Sequence, residues 1–446
     1  MDEPTLFPLP PSASAAPPPK SESPPRVQRP NRLQVEWQPY ALDQLLPPTH
    51  RARQVWCFVE RLELGALYAG MAAVEGEPGR PAIDPRILLA LWLYATLKGV
   101  GSARELDRLC TEHRAYQWLC GGVSVNYHTL ADFRVHHPAI LDDLLTQGVA
   151  ALVRAGVVDV ATLVQDGLKV RAHAGAASFR RASTLQELLQ AAQHRVARLR
   201  QEVAADPGAA SRRHQAAQAR ATREREQRVQ AALAAVGEIE QARVRQRKPK
   251  AEEPRASTTD PEARVMKMSD GGYRPAYNVQ LATTLRGQVV VGVGVTNAGS
   301  DLGQLEPMLK GLHGGALPPP QTVVTDGGYG KKQDIETVSG PPYGCTVILP
   351  VQKPKKPGQD PFAPRPRDPP AVAAWRQRMG TPEAQALAKQ RGRVAEWVNA
   401  QARNRGLMQV RVRGALKVRA IALWQALANN LVQSHRLLQA AMPAPT

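Results

Sequence analysis

Two apolar, β-branched segments of this 446-residue chain each run into Asp-Gly, and that repetition constrains the fold more than any other feature. The first is Thr162-Leu163-Val164-Gln165, preceded by Val157-Val158-Asp159-Val160 and followed by Asp166-Gly167. The second is Thr322-Val323-Val324-Thr325, followed by Asp326-Gly327-Gly328-Tyr329. Such Val and Thr density marks buried strands. One Asp-Gly is a common turn dipeptide and carries little weight. Two of them predict acids at the carboxyl ends of strands in one α/β sheet, where ligands bind. Glycine after each acid would let a bulky backbone approach closely. Further strands are expected over Tyr277–Ala282, Val289–Val295 and Thr346–Pro350, with a helix through Leu302, Leu305 and Leu309 among them.

Ahead of the first strand, from Leu42 to Gly156, apolar residues recur three and four apart, which predicts helices. Asp84-Pro85 reads as an N-cap followed by proline in the first turn, Ser102 with Glu105 as a capping box, and a third helix is expected to start near Thr129, after Asn126-Tyr127-His128. Arg104, Arg108, Arg114 and Arg134 on short helices suit a helix-turn-helix-like DNA reader. A helical packing unit with a solvated basic face carries equal weight. Between the two Asp-Gly strands lies a long basic stretch. Leu185, Leu189, Ala192, Val196, Leu199 and Val203 form a coiled-coil seam, Asp206-Pro207-Gly208 breaks it, and Val229, Leu233, Val236 and Ile239 resume it. A helical hairpin is expected there. A Pro-rich tail at the start, a joint from Lys248-Pro249 to Asp260-Pro261, a loop over 353–370 and two closing helices complete the organisation.

The chain has 58 Lys and Arg against 39 Asp and Glu, a net charge of +19 that points to a polyanionic partner. No apolar run approaches the roughly 18–20 residues of a membrane span, and the start lacks the features of a secretory signal, so a cytoplasmic protein without a membrane partner is expected. Cys57, Cys110, Cys120 and Cys345 lack paired spacing and read as free thiols. Cys110, His113 and Cys120 lack the fourth ligand of a structural zinc site.

Carboxylates gathered at strand ends suit phosphodiester chemistry, in which two metal ions roughly 3.5–4 Å apart activate one oxygen and stabilise another. A third acid is needed, and Glu396, within Arg391-Gly392-Arg393-Val394-Ala395-Glu396-Trp397-Val398-Asn399, is the best candidate. Glu336 follows Asp326 too closely, and Glu383 sits at a helix start where the helix dipole explains it.

Several segments together carry a resemblance. These are strand-Asp-Gly, the helical insertion, Tyr277-Asn278-Val279-Gln280, the Thr325-Asp326-Gly327-Gly328-Tyr329-Gly330 run, Glu396-Trp397 on a helix, and Arg413-Gly414-Ala415-Leu416-Lys417-Val418. The chain resembles the DDE transposases of bacterial insertion sequences over most of residues 80–435. Some relatives carry a tyrosine-arginine-glutamate-lysine signature around the final acid; here Arg393 and Glu396 are spaced more tightly and position 403 is Arg.

The resemblance implies a ribonuclease H-like mixed sheet with flanking helices, an all-helical N-terminal domain and a helical-hairpin insertion. The expected division is a tail at 1–30, a helical DNA-binding domain at 31–150, a catalytic domain from 151–183 and 263–446, and a basic insertion at 184–262. It implies that Asp166, Asp326 and Glu396 hold two Mg2+ or Mn2+ ions. Double-stranded DNA, as element ends and target, is the implied partner of a homo-oligomer. Arg104, Arg108, Arg134, Arg393, Arg403 and Lys417 are the candidate phosphate contacts. Tyr277, Asn278 and Gln280 match a family segment on the second strand, with packing and positioning roles. The competing readings are a DNA-binding regulator with a degenerate site, against which the three acids argue, and a nuclease of the same fold without strand transfer.

Overall fold

The computed structural model describes residues 41–71, 81–205, 212–245, 253–352 and 358–442. The Pro-rich tail, the break at Asp206-Pro207-Gly208, the joint's start at Lys248-Pro249 and part of the 353–370 loop lie outside the described residues.

Seven α-helices come first among these residues: α1 (Arg51–Glu60), α2 (Gly65–Ala69), α3 (Pro85–Leu97), α4 (Ala103–Glu112), α5 (Arg114–Cys120), α6 (Tyr127–His136) and α7 (Pro138–Arg154). Local chemistry sets their ends. Asp84 accepts the Arg86 N–H, Ser102 Oγ accepts the Glu105 N–H and Asn126 Oδ1 accepts the Thr129 N–H, each satisfying a donor that the first helical turn leaves free. Gly99 closes α3 at a φ of 72°, where a side chain would be strained. From Ile87 to Tyr94 every residue of α3 is buried, so its sequence is apolar all round.

The chain then enters β1 (Thr162–Arg171). Two expectations fail here. Val157–Val160 form no strand, because the Val157 N–H closes α7 onto the Leu152 carbonyl and Asp159 accepts the Ala161 N–H, turning the chain. Nor does β1 stop at Asp166. It runs five residues further, with Leu168 and Val170 fully buried, so Asp166 lies at mid-strand.

After β2 (Phe179–Arg180) come α8 (Ala182–Ala205) and α9 (Arg212–Arg245), then β3 (Ala256–Ser257), β4 (Arg264–Lys267), β5 (Tyr273–Thr284) and β6 (Val290–Thr296). The pair β2 and β3 forms a small ribbon from which the α8–α9 hairpin rises. Leu185 packs with Val229, Ala232 and Val236 in the hairpin's own core, as the four-and-three spacing expects. Then follow α10 (Leu305–Leu312), β7 (Thr322–Val324), α11 (Lys332–Ser339), β8 (Thr346–Ile348), α12 (Pro370–Met379), α13 (Pro382–Asn404) and α14 (Ala415–Ala441).

Among the described residues the main sheet has the order β4-β5-β1-β7-β8, with β6 also paired to β5. Strand β1 is antiparallel to β5 and parallel to β7, which is parallel to β8. A helical crossover through α11 makes the parallel β7–β8 pair possible, short turns join β4 to β5 and β5 to β6, and β1 pairs with β5 across the α8–α9 insertion. This is the ribonuclease H-like mixed sheet.

The N-terminal helices do not pack apart from it. Trp92 of α3, Leu130 of α6, Leu144 of α7, Leu168 of β1, Val279 of β5 and Trp424 of α14 belong to one hydrophobic core. Helix α14 makes the join. Asn430 accepts the Val290 N–H at 2.8 Å and donates to the Val290 carbonyl at 2.7 Å, while the Trp424 indole donates to the Arg134 carbonyl at 2.9 Å. No described helix is long and apolar enough to cross a membrane. Replacing Trp424, 1% exposed, by Ala should cost about 3–5 kcal/mol in urea unfolding. A loss under about 1 kcal/mol would show that α14 does not hold the two halves together.

Candidate active site

Asp166 and Asp326 meet because β1 and β7 run parallel in register. Val164 lies opposite Val324, the last registered pair, and each acid follows two residues later. Burial pushes the Asp166 carboxyl up to about 6 from the usual 3.8; the Arg391 charge opposes this, while Asp326 and Asp301 add to it. The Asp326 side chain accepts the Gly328 N–H at 2.7 Å and so caps the short turn Gly327–Tyr329.

Helix α13 crosses over this pair. Its Asn399 donates to Asp166 Oδ2 at 2.9 Å and its Arg391 reaches Asp166 Oδ1 at 3.4 Å. Val394, Ala395 and Val398 are buried beneath it. Glu396 is exposed on the flank of the same helix, with Oε1 3.8 Å from where a Cβ on Gly392 would lie. Thus Asp166 and Asp326 come together, and Glu396 is exposed on the helix above them; among the described residues no three His, Cys, Asp or Glu side chains are grouped as metal ligands. Glu336 and Glu383, the rivals for the third acid, are also exposed.

Sequence reasoning missed Asp301, Arg391 and Asn399. Asp301, in the loop between β6 and α10, accepts from Asn278 at 2.8 Å and Gln280 at 2.7 Å. Gln280 in turn accepts from Gln165 at 3.0 Å and from the Tyr329 hydroxyl. Burial, with the charges of Asp301, Asp166 and Asp326 behind it, pushes the Tyr329 phenol upward, so it stays protonated and donates. This network accounts for Asn278, Gln280 and Tyr329 of the two segments, whereas the Tyr277 hydroxyl donates to Asp260 at 2.7 Å. It also corrects the reading of Gly167. A Cβ there would lie 2.1 Å from Asp301 Oδ1, so the glycine makes room for a carboxylate rather than for DNA. The one available signal, an acid in a polar Asn297–Gln304 loop, is indistinguishable in sequence from a surface turn.

Residues 40–136 match the family model described as Transposase domain (DUF772), and residues 242–431 match that of the Transposase DDE domain. The chain belongs to the DDE transposase family. No curated protein and no solved structure matches it. Asp326 and Glu396 fall within the second matched stretch, and Asp166 lies between the two, on the strand joined to β5 and β7. Transposases of this family have DNA as their partner and typically use divalent metal ions.

Of the candidate phosphate contacts in this transposase, Arg393, Arg403 and Lys417 are exposed on α13 and α14. Arg108 is exposed and paired with Glu112 one turn on. Arg104 stacks on Tyr127 with its guanidinium 5.3 Å from the ring centroid, and Arg134 lies over Trp92 at 4.5 Å and donates to the Gly101 carbonyl.

The raised Asp166 value has a stability consequence. Below the unfolded value of 3.8 the carboxyl is protonated in both states; as pH rises through about 6, folding loses stability because the buried group must ionise. In metal-free buffer the Asp166→Asn variant should therefore gain over the parent between pH 4 and 6, reaching at most about 3 kcal/mol above pH 6. Equal urea midpoints at pH 4 and pH 7.5 would contradict that assignment.

Proposed function

We propose that this transposase cuts DNA at the ends of its insertion sequence and joins the freed 3′ ends to target DNA, with Asp166, Asp326 and Glu396 as ligands of two magnesium or manganese ions. The observation that carries the reading is the adjacency of Asp166 and Asp326 across the parallel β1–β7 edge. Carboxylates held side by side in a half-buried cleft repel one another, and a cation relieves that repulsion. The donors are all oxygen, which suits a hard ion such as magnesium better than zinc. A bound pair of such ions supplies activation of the attacking oxygen and neutralisation of charge on the leaving one.

The chain's own residues do the rest. The hydrogen bond from Asn399 fixes the plane of the Asp166 carboxylate. The 3.4 Å contact from Arg391 lies beyond ordinary hydrogen-bond length and yields readily to a competing cation. Glu396 stands three residues before Asn399 on the helix that covers both aspartates, and Gly392, one turn earlier, leaves the space beside it free of a side chain. Exposed Arg393, Arg403 and Lys417 offer charge to the DNA backbone, and a homo-oligomer would hold paired ends.

Each reaction step exchanges one P–O bond for another. Water attacks phosphorus and the 3′ oxygen leaves with a proton; that 3′-hydroxyl then attacks a target phosphorus and displaces the target's 3′ oxygen. No nucleotide energy source is required.

Purified protein incubated with duplexes carrying the element ends and magnesium should give nicks and joined products. Asp166→Asn and Asp326→Asn should each reduce cleavage about a thousandfold or more, equivalent to several kcal/mol of transition-state stabilisation, with DNA affinity within a few-fold. Undiminished cleavage by either variant would remove that residue from the site. Nicking without joined products would identify a nuclease.

A further inference from the structure

A second site lies away from the carboxylates. A cavity of about 910 Å³ opens where the α3–α4 turn meets the 405–411 loop between α13 and α14. Arg104, Arg134, Arg405 and Arg411 line it together with His173, and none of its lining residues is Asp or Glu. None of the four arginines forms an ion pair among the described residues. Arg134 Nε is buried without a hydrogen-bond partner, although Nη1 donates to the Gly101 carbonyl at 2.6 Å. Desolvation, reinforced by the Arg411 charge, pushes the Arg134 guanidinium down to about 10. Buried cationic groups without counter-charge are costly, and arginine's planar fork matches phosphate oxygens.

We propose that this cavity binds a backbone phosphate of the DNA that the transposase processes. The proposal rests on the DNA-joining reading above. What favours a strand over a free small anion is the cavity's place. The 405–411 loop bridges to the end of β1, with the Arg171 N–H donating to the Met408 carbonyl and the Val410 N–H donating to the Arg171 carbonyl, both at 2.9 Å. Asp166 is five residues back on that strand, about 17 Å at the usual rise. Arg405 is six residues beyond Asn399 on the chain leaving α13, about 9 Å at helical rise. A duplex offers one phosphate per strand about every 3.4 Å, so DNA engaged at Asp166 has further phosphates at the cavity's range. Two of its arginines, Arg104 and Arg134, come from the N-terminal helices and two, Arg405 and Arg411, from the loop after α13. The cavity thus couples the helical part's grip on DNA to the helix that covers the carboxylates.

The test uses the full chain, a labelled duplex and metal-free buffer, with affinity measured between about 50 and 200 mM salt. The parent should show a steep log–log salt slope. Arg411→Gln, an exposed position where folding is not at stake, should lower that slope by about 0.9 for one lost phosphate and weaken binding several-fold at low salt. Arg411→Lys should restore most of the slope, Arg405→Gln should repeat the loss, and Lys310→Gln, on α10 away from the cavity, should change neither. Parent slopes in both Arg411→Gln and Arg405→Gln would overturn the phosphate site while leaving the DNA reading intact. A parent that fails to bind DNA would overturn both. Inorganic phosphate raising the melting temperature of the parent but not of Arg411→Gln, with DNA slopes unchanged, would identify a small-anion site and reject the strand.

Discussion

A carboxylate desolvated in the middle of a sheet is tenable only where donors and charges around it compensate, and the arrangement of this molecule turns on how Asp166 meets that demand. Its strand is paired to β5 at Asp166 itself and to β7 up to Val164, so the backbone there is held in the sheet. Compensation comes from above instead, through Asn399 and Arg391 of α13. Asp326 and Asp301 push the other way. The balance leaves a site under-supplied with positive charge, while the chain as a whole carries a large positive excess.

That excess is not evenly available. Arg376 and Lys332 share Asp368, which joins α11 to α12, and Arg419 pairs with Asp142, which joins α14 to α7. These pairs serve architecture. Arg104, Arg405 and Arg411 have no such partner among the described residues and gather at one cavity. Charge count thus forecasts a polyanionic partner, while pairing decides which arginines are left to meet it.

Beneath the aspartates, Gln165, Asn278, Gln280, Asp301 and Tyr329 form a buried polar network drawn from four separate segments. Such networks tolerate little rearrangement, because each broken contact strands a desolvated polar atom. The network therefore fixes the β6–α10 loop against β1 and β5, and it consumes the space a side chain at position 167 would need.

Much of this was legible from sequence for a local reason. Caps at Asp84 and Ser102, the seam of α8 and α9, and the β-branched runs before Asp166 and Asp326 all act within a turn or a strand, so their residues announce them. The α/β class and the two aspartates followed directly. What the chain could not announce was whether β1 stopped at Asp166, since an Asp-Gly inside a strand and one at its end share the same local chemistry until pairing with β5 is known. The facing of Glu396, the meeting of Asp301 with Gly167 and the gathering of arginines from α4, α6 and the 405–411 loop were likewise decided only in the folded chain. Each depends on sheet register, helix crossing and desolvation between residues far apart in sequence, and those are through-space quantities with no local signature.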